Sequence, residues 1–239
     1  MNIALTVLAA AWGALAGALI PRAAYRLSVE PEEPWRAACP EGHRFTGLAR
    51  GWLGRPPCAQ RAFGSVSVTV GCCAALTAAT GPRPELVVWL LLVPITVLLA
   101  RVDLSVHRLP DAVTLPLAGT AAVLLVCAGL LPGHVGSWSR ALFGGLALGG
   151  AYFVLFLINP NGLGFGDVKL AVTLGMVLGW YGWGVLFLGA FAGFLLGSAY
   201  GLGLMALRRA DRKHAIPFGP FMIGGTMAAV LLGALTAAP

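Results

Sequence analysis

This chain is short of charge. Only nine of its 239 residues are Asp or Glu and sixteen are Lys or Arg, a charged share of 10%, where soluble proteins average roughly a quarter. So little charge cannot solvate the surface of a soluble domain, and with hydrophobic residues at 58% no separate globular unit is expected. Cysteine is also sparse, at five residues, and no disulfide framework is implied. A mean hydropathy of +0.84 places the chain among polytopic membrane proteins: an all-α helix bundle. At about 20 residues per crossing, its length leaves room for about eight transmembrane helices. The net charge of +7 reads as the bias of cations toward the inner membrane face, not as a nucleic-acid surface.

Apolar runs are expected at residues 1–20, 63–80, 85–101, 112–131, 140–158, 168–181, 183–207 and 216–238. The first has no cation before its apolar core, and Arg22 follows it, so it reads as a retained first helix with an outer N-terminus. Between it and the second run lies the one long polar segment, with seven arginines from Arg22 to Arg61. Rich in Pro, Gly and Arg, it reads as an irregular cytoplasmic loop at about 22–62, with a short packed segment around Trp35 and Trp52. The whole chain, 1–239, then forms a single integral-membrane domain. With eight spans in this orientation, every cation except Arg83 and Arg140 falls inside. Arg208, Arg209, Arg212 and Lys213 form an inner basic cluster suited to anionic lipid. Trp180, Tyr181 and Trp183 read as an outer aromatic belt, and Pro217 as the first turn of the last helix.

Against this background the stretch Asn159-Pro160-Asn161-Gly162-Leu163-Gly164-Phe165-Gly166-Asp167-Val168-Lys169-Leu170 stands out. An ionisable group beside hydrocarbon is expensive and seldom kept without a use, which makes Asp167 a functional candidate. Asp103 and Asp111 are the other carboxylates beside apolar spans on the same inner face. Asp103 is paired with Asp167 here, because two carboxyls in a poorly solvated site cannot both ionise easily and therefore share a proton. One can then take a proton from water while the other donates to a peptide carbonyl oxygen, which is aspartic-protease chemistry. Gly164 and Gly166 can allow positive φ and the close approach of a substrate backbone. Plainer roles exist for each carboxylate: a helix N-cap for Asp167 and for Asp111, which follows Pro110, and for Asp103 a salt bridge with Arg101, His107 or Arg108.

Three motifs then stand in one order: Asp103 followed by Leu109-Pro110-Asp111 and Thr114-Leu115-Pro116, the Gly164-Phe165-Gly166-Asp167-Val168-Lys169-Leu170 element, and Ile216-Pro217-Phe218-Gly219-Pro220-Phe221. Together they resemble the prepilin leader peptidases, membrane aspartic peptidases of type IV pilus and type II secretion systems, over roughly residue 85 to the C-terminus plus the first helix. The resemblance implies that Asp103 and Asp167 are catalytic, that Gly164 and Gly166 are the motif glycines, and that Lys169 is the basic residue after them, with Pro110 and Asp111 in support. It implies as substrate a pilin-like or pseudopilin precursor, cut at the cytoplasmic face between a short basic leader and its hydrophobic helix. The setting would be a bacterial cell membrane.

Many such peptidases carry two Cys-x-x-Cys pairs in the loop after the first span, a spacing suited to zinc. Here Cys39, His43 and Cys58 supply at most three ligands, so no metal is expected. Cys72, Cys73 and Cys127 read as small core hydrophobes. The same loop is associated with N-methylation from S-adenosylmethionine, the one cofactor the resemblance brings in, and nothing in it resembles a nucleoside-binding motif. Two other classes compete. A proton-coupled transporter would use the aspartates as relay groups, but no second copy of the glycine-rich break gives the internal repeat such proteins show. A structural subunit leaves the aspartates without a role.

Overall fold

The computed structural model describes residues 3–30, 33–52, 63–160, 162–207 and 216–237. These form helices α1 (Ile3–Leu27), α2 (Leu48–Gly51), α3 (Phe63–Thr80), α4 (Glu85–Val106), α5 (Asp111–Leu130), α6 (Trp138–Ile158), α7 (Phe165–Tyr181), α8 (Trp183–Ala206) and α9 (Gly219–Thr236), and no strand is present among the described residues. The chain is a multi-pass membrane protein: seven of the described helices are long and apolar enough to cross a bilayer. The remaining long helix, α7, has 17 residues, short of the ~20 of a full crossing. It is the best enclosed, with α5, α6, α8 and α9 around it.

Proline and glycine set the ends of these helices. Pro84 precedes α4 and Pro110 precedes α5, where a missing N–H has no cost. At the far end of α4, His107 adopts φ 51° and closes the last turn by donating its N–H to the Asp103 carbonyl at 2.8 Å. Gly182, at φ 127°, supplies the backbone that separates α7 from α8, a conformation open to glycine.

Some boundaries differ from the sequence expectation. Helix α1 continues through Pro21 to Leu27, so Arg22 is buried in the bundle and donates to the Thr46 carbonyl at 2.8 Å. The polar segment packs as expected, with the Trp35 and Trp52 rings at 5.1 Å and the Arg26 guanidinium 3.9 Å over Trp52. Helix α4 runs past Arg101 to Val106, and α7 starts at Phe165. Pro220, not Pro217, takes the first turn of α9. The aromatic belt is corrected: Trp180 is fully buried and Tyr181 accepts a hydrogen bond from Trp89 Nε1 at 3.1 Å, leaving Trp183 exposed. Arg55, Arg61 and the basic cluster Arg208, Arg209, Arg212 and Lys213 lie outside the described residues.

Within lipid, helices gain little from hydrophobicity and associate through close packing at small residues. The α6–α7 seam is built this way. A Cβ on Gly144 would sit 2.5 Å from the Gly175 carbonyl oxygen, and one on Gly175 would sit 2.5 Å from the Gly144 oxygen. Helices α1 and α3 are held by Thr69, whose hydroxyl donates to the Gly13 carbonyl at 2.7 Å. Helix α9 touches α3, α4, α7 and α8, whereas α4 and α7 have no direct backbone contact. A gap therefore runs between α4 and α7.

Gly144→Leu is expected to lower stability by about 1–3 kcal/mol, the usual cost of overpacking, as a reduced thermal midpoint in detergent. Gly150→Leu, where an added Cβ meets nothing within 4 Å, leaves the midpoint unchanged or higher.

Candidate functional site

Asp103 occupies the last turns of α4 and Asp167 the first turn of α7, and both are buried, at 4% and 9% exposure. They sit at the same end of the bundle, within electrostatic reach of each other across the α4–α7 gap. A carboxylate withdrawn from water loses several kcal/mol of hydration unless protein groups replace it. For Asp103 the replacement comes from α9: the Gly219 backbone N–H donates to Asp103 Oδ2 at 2.9 Å. This N–H belongs to the opening of a helix, where backbone donors are free and the helix dipole favours an anion. No ion pair reaches Asp103 among the described residues. Arg101 turns away and donates to Ser65 Oγ at 3.0 Å.

Position 219 has no room for a side chain. A Cβ there would lie 2.8 Å from Asp103 Oδ2, so glycine lets the α9 backbone touch the carboxylate. The residue was visible in the sequence within Phe218-Gly219-Pro220, but its role was not, because the partner lies on a helix more than a hundred positions away.

Around Asp167 the short link between α4 and α5 closes the site. A Cβ on Gly166 would meet Leu109 Cβ at 2.9 Å, so this glycine lets the chain's own α4–α5 link come close, a different neighbour from the substrate backbone expected. The positive φ expected at Gly164 and Gly166 is not adopted at either. Gly164 is extended, at φ −71° and ψ 144°, and a Cβ there would lie 3.4 Å from Asp167 Oδ2. The capping roles are also corrected. Neither α5 nor α7 has a cap hydrogen bond from its N-cap side chain: Asp167 lies three residues past the cap position, with its carboxyl back against the Gly164 backbone. Asp111 forms an ion pair with Lys169 instead, at 2.6 Å, with Lys169 Nζ also 4.6 Å over the Phe165 ring. Asp111 is 61% exposed, so the pair contributes at most about 1 kcal/mol and acts mainly as a clasp between α5 and α7. Pro110, buried, starts α5 directly behind it.

Tyr152 escaped the sequence reading. It is 2% exposed on the α6 face that packs against α7, its hydroxyl lies within electrostatic reach of Asp167, and its ring contacts Phe194 at 5.5 Å and Phe218 at 6.2 Å. A lone phenol on the glycine-lined face of an apolar helix was the available signal.

In the polar segment, Cys39, Glu41 and His43 bring one ligand atom each within 4.8 Å of one another. Cys39 Sγ lies 3.5 Å from His43 Nδ1. Cys39 is disulfide-bonded, and Cys58 lies outside the described residues. A disulfide sulfur is not a thiolate, so this trio does not fit the four-ligand zinc set. Cys72, Cys73 and Cys127 are free; Cys73 is buried and Cys72 half-buried, but Cys127 is exposed on the outer face of α5, which corrects its reading as a core residue.

A membrane helix bundle with two buried aspartates facing across a gap at one end defines the class. The chain belongs to the type IV leader peptidase family, whose family model matches residues 90–237. Curated relatives named prepilin leader peptidase/N-methyltransferase are 34% identical over 148 residues in Aeromonas salmonicida, covering 60% of this chain and 48% of the relative. The Aeromonas hydrophila relative is 35% identical over 152 residues, 60% of this chain and 49% of its own, and that of Pseudomonas aeruginosa 31% over 143 residues, 56% and 46%. The chain thus spans about half the length of these relatives. No solved structure matches it.

Gly219→Ala is expected to push the Asp103 carboxyl off its N–H donor and to lower stability by about 1–3 kcal/mol, as overpacking and loss of a charged hydrogen bond both cost. Denaturation of purified protein would show it, with Asp111→Asn, an exposed partner, within about 1 kcal/mol of the parent.

Proposed function

We propose that the chain is an aspartic endopeptidase that removes the basic leader of type IV prepilin-like or pseudopilin precursors at the cytoplasmic face of a bacterial cell membrane. The observation that carries this reading is the pair of buried carboxyls, Asp103 and Asp167, within electrostatic reach of each other from α4 and α7, with no ion pair to either among the described residues. With one proton between them, the ionised member takes a proton from the attacking water as the protonated member donates to the scissile carbonyl oxygen, and their roles exchange as the amine leaves. The Gly219 N–H bond to Asp103 fixes that carboxyl's orientation. The Gly164–Gly166 backbone brings Asp167 against the α4–α5 link, and the Lys169–Asp111 clasp holds the link to α7.

The transporter alternative gains nothing from the family membership, and a structural subunit would not need two carboxyls buried at one end of the bundle. N-methylation from S-adenosylmethionine appears in the relatives' names. For this chain it remains a separate activity to be read from the same product.

Co-expression with a pilin-like precursor from the same genome tests the reading. The parent is expected to cut the leader, and Asp103→Asn or Asp167→Asn to lower the rate by at least about 10²-fold, the low end of general acid–base contributions, at equal membrane levels. Equal cleavage by either variant overturns the dyad. Because one carboxyl must be ionised and the other protonated, the parent rate is expected to fall on both sides of a pH optimum. A single mass increment of one methyl on the mature N-terminus marks methylation.

Orientation has its own test. A cysteine replacing Arg83 should react with an impermeant maleimide in intact cells, and one replacing Arg108 only after lysis. The reverse pattern overturns the cytoplasmic placement.

A further inference from the structure

Below the two carboxyls the α4–α7 gap widens into a cavity of about 390 Å³, walled by α3, α4, α7 and α9. Its size is at the small end of the roughly 300–1,000 Å³ of ligand sites. The wall on α4 follows Trp89, Val93, Thr96 and Ala100, a stripe that the helical repeat carries on to Asp103. On α7 it includes Leu174 and Val177, and one helical repeat before Leu174 is Asp167. On α9 it runs through Ile223, Met227 and Val230, the face that begins at Gly219. All three elements of the aspartate site therefore stand at one end of the same cavity. From Asp103 to Trp89 it extends about 20 Å along α4, at 1.5 Å per residue, well into the hydrocarbon.

Two features say what the cavity receives. Its walls are almost wholly apolar, so no polar solute or ion is held there. Among them is Thr173, 1% exposed, whose hydroxyl has no hydrogen-bond partner among the described residues, although a helical Thr normally bonds the carbonyl four residues back. At the rim Val68 and Leu104 are exposed, so the cavity opens sideways on the bundle surface and not only at its end.

We infer that this slot is the binding site for the apolar chain segment joined to the cleaved bond, which enters sideways from the bilayer and lays its first large side chains between α4, α7 and α9. This rests on the aspartic peptidase reading, and adds which part of the protein selects the substrate. A peptide bond set between Asp103 and Asp167 must continue on one side into the membrane. Among the described residues, the slot is a path of matching chemistry on that side. Apart from Arg101 the described walls carry no charged group, so a charged residue deeper in the entering segment meets a desolvation cost that they do not offset.

Photocrosslinking with the full chain in membranes tests this. A same-genome pilin-like precursor carrying benzoylphenylalanine at successive apolar positions after the leader is mixed with the Asp167→Asn variant, and crosslinked peptides are mapped by mass spectrometry. Crosslinks to Thr96, Thr173 or Met227 are expected. Crosslinks confined to residues outside the slot overturn the inference, as does a photoactivatable phospholipid that labels these walls and is not displaced by precursor. A second arm uses Ala100→Phe, which fills the slot beside Thr96. It is expected to raise KM for the precursor about tenfold with kcat within about twofold and the thermal midpoint unchanged, and a KM equal to the parent's overturns the slot. Cleavage by Asp167→Asn itself would instead sink the dyad, whatever the crosslinks show.

Discussion

A buried carboxylate must find in the protein the hydrogen bonds it gave up in water, and in this bundle Asp103 finds one on a helix it does not belong to. The Gly219 N–H at 2.9 Å ties the end of α4 to the start of α9. A hydrogen bond to a charged group contributes about 1.5–3 kcal/mol, and leaving such a group unsatisfied costs more than that. The geometry of α9 follows from this contact: its first residue must be glycine, its first-turn proline cannot compete for the carboxylate, and its face must descend along the same gap that Asp103 overlooks.

The gap itself depends on what fills the space beside it. Helices α6 and α7 approach so closely at Gly144 and Gly175 that α7 is drawn toward α6 and away from α4. Helix α9 spans the resulting distance, touching both α4 and α7. The two carboxyls thus stand on helices whose backbones do not touch, within electrostatic reach of each other. Close packing on one side of α7 and an open space on the other are two results of one distribution of glycine.

The polar seams are arranged by depth. At the aspartate end the Lys169–Asp111 clasp lies at the surface, where water screens it and its contribution is small. At the opposite end Trp89 and Tyr181 join α4 to α7 through a hydrogen bond in the interior. The same two helices are thus linked by side chains at the Tyr181 end while their backbones stay apart.

Much of this was legible in the residues. Composition determined the membrane class, the apolar runs located every long helix to within a few positions, and the expense of charge beside hydrocarbon singled out Asp103 and Asp167. These follow from local physics, since hydropathy and the cost of desolvation act on a residue wherever its neighbours come from. What the tertiary structure alone decided is who meets whom: Gly219 beneath Asp103, Leu109 against Gly166, Asp111 with Lys169 instead of its own helix end, and Tyr152 beside Asp167. Each is a contact between distant segments, set by the angle and spacing at which helices pack. Glycine shows the limit most plainly, because a residue without a side chain records that something comes close but not what it is.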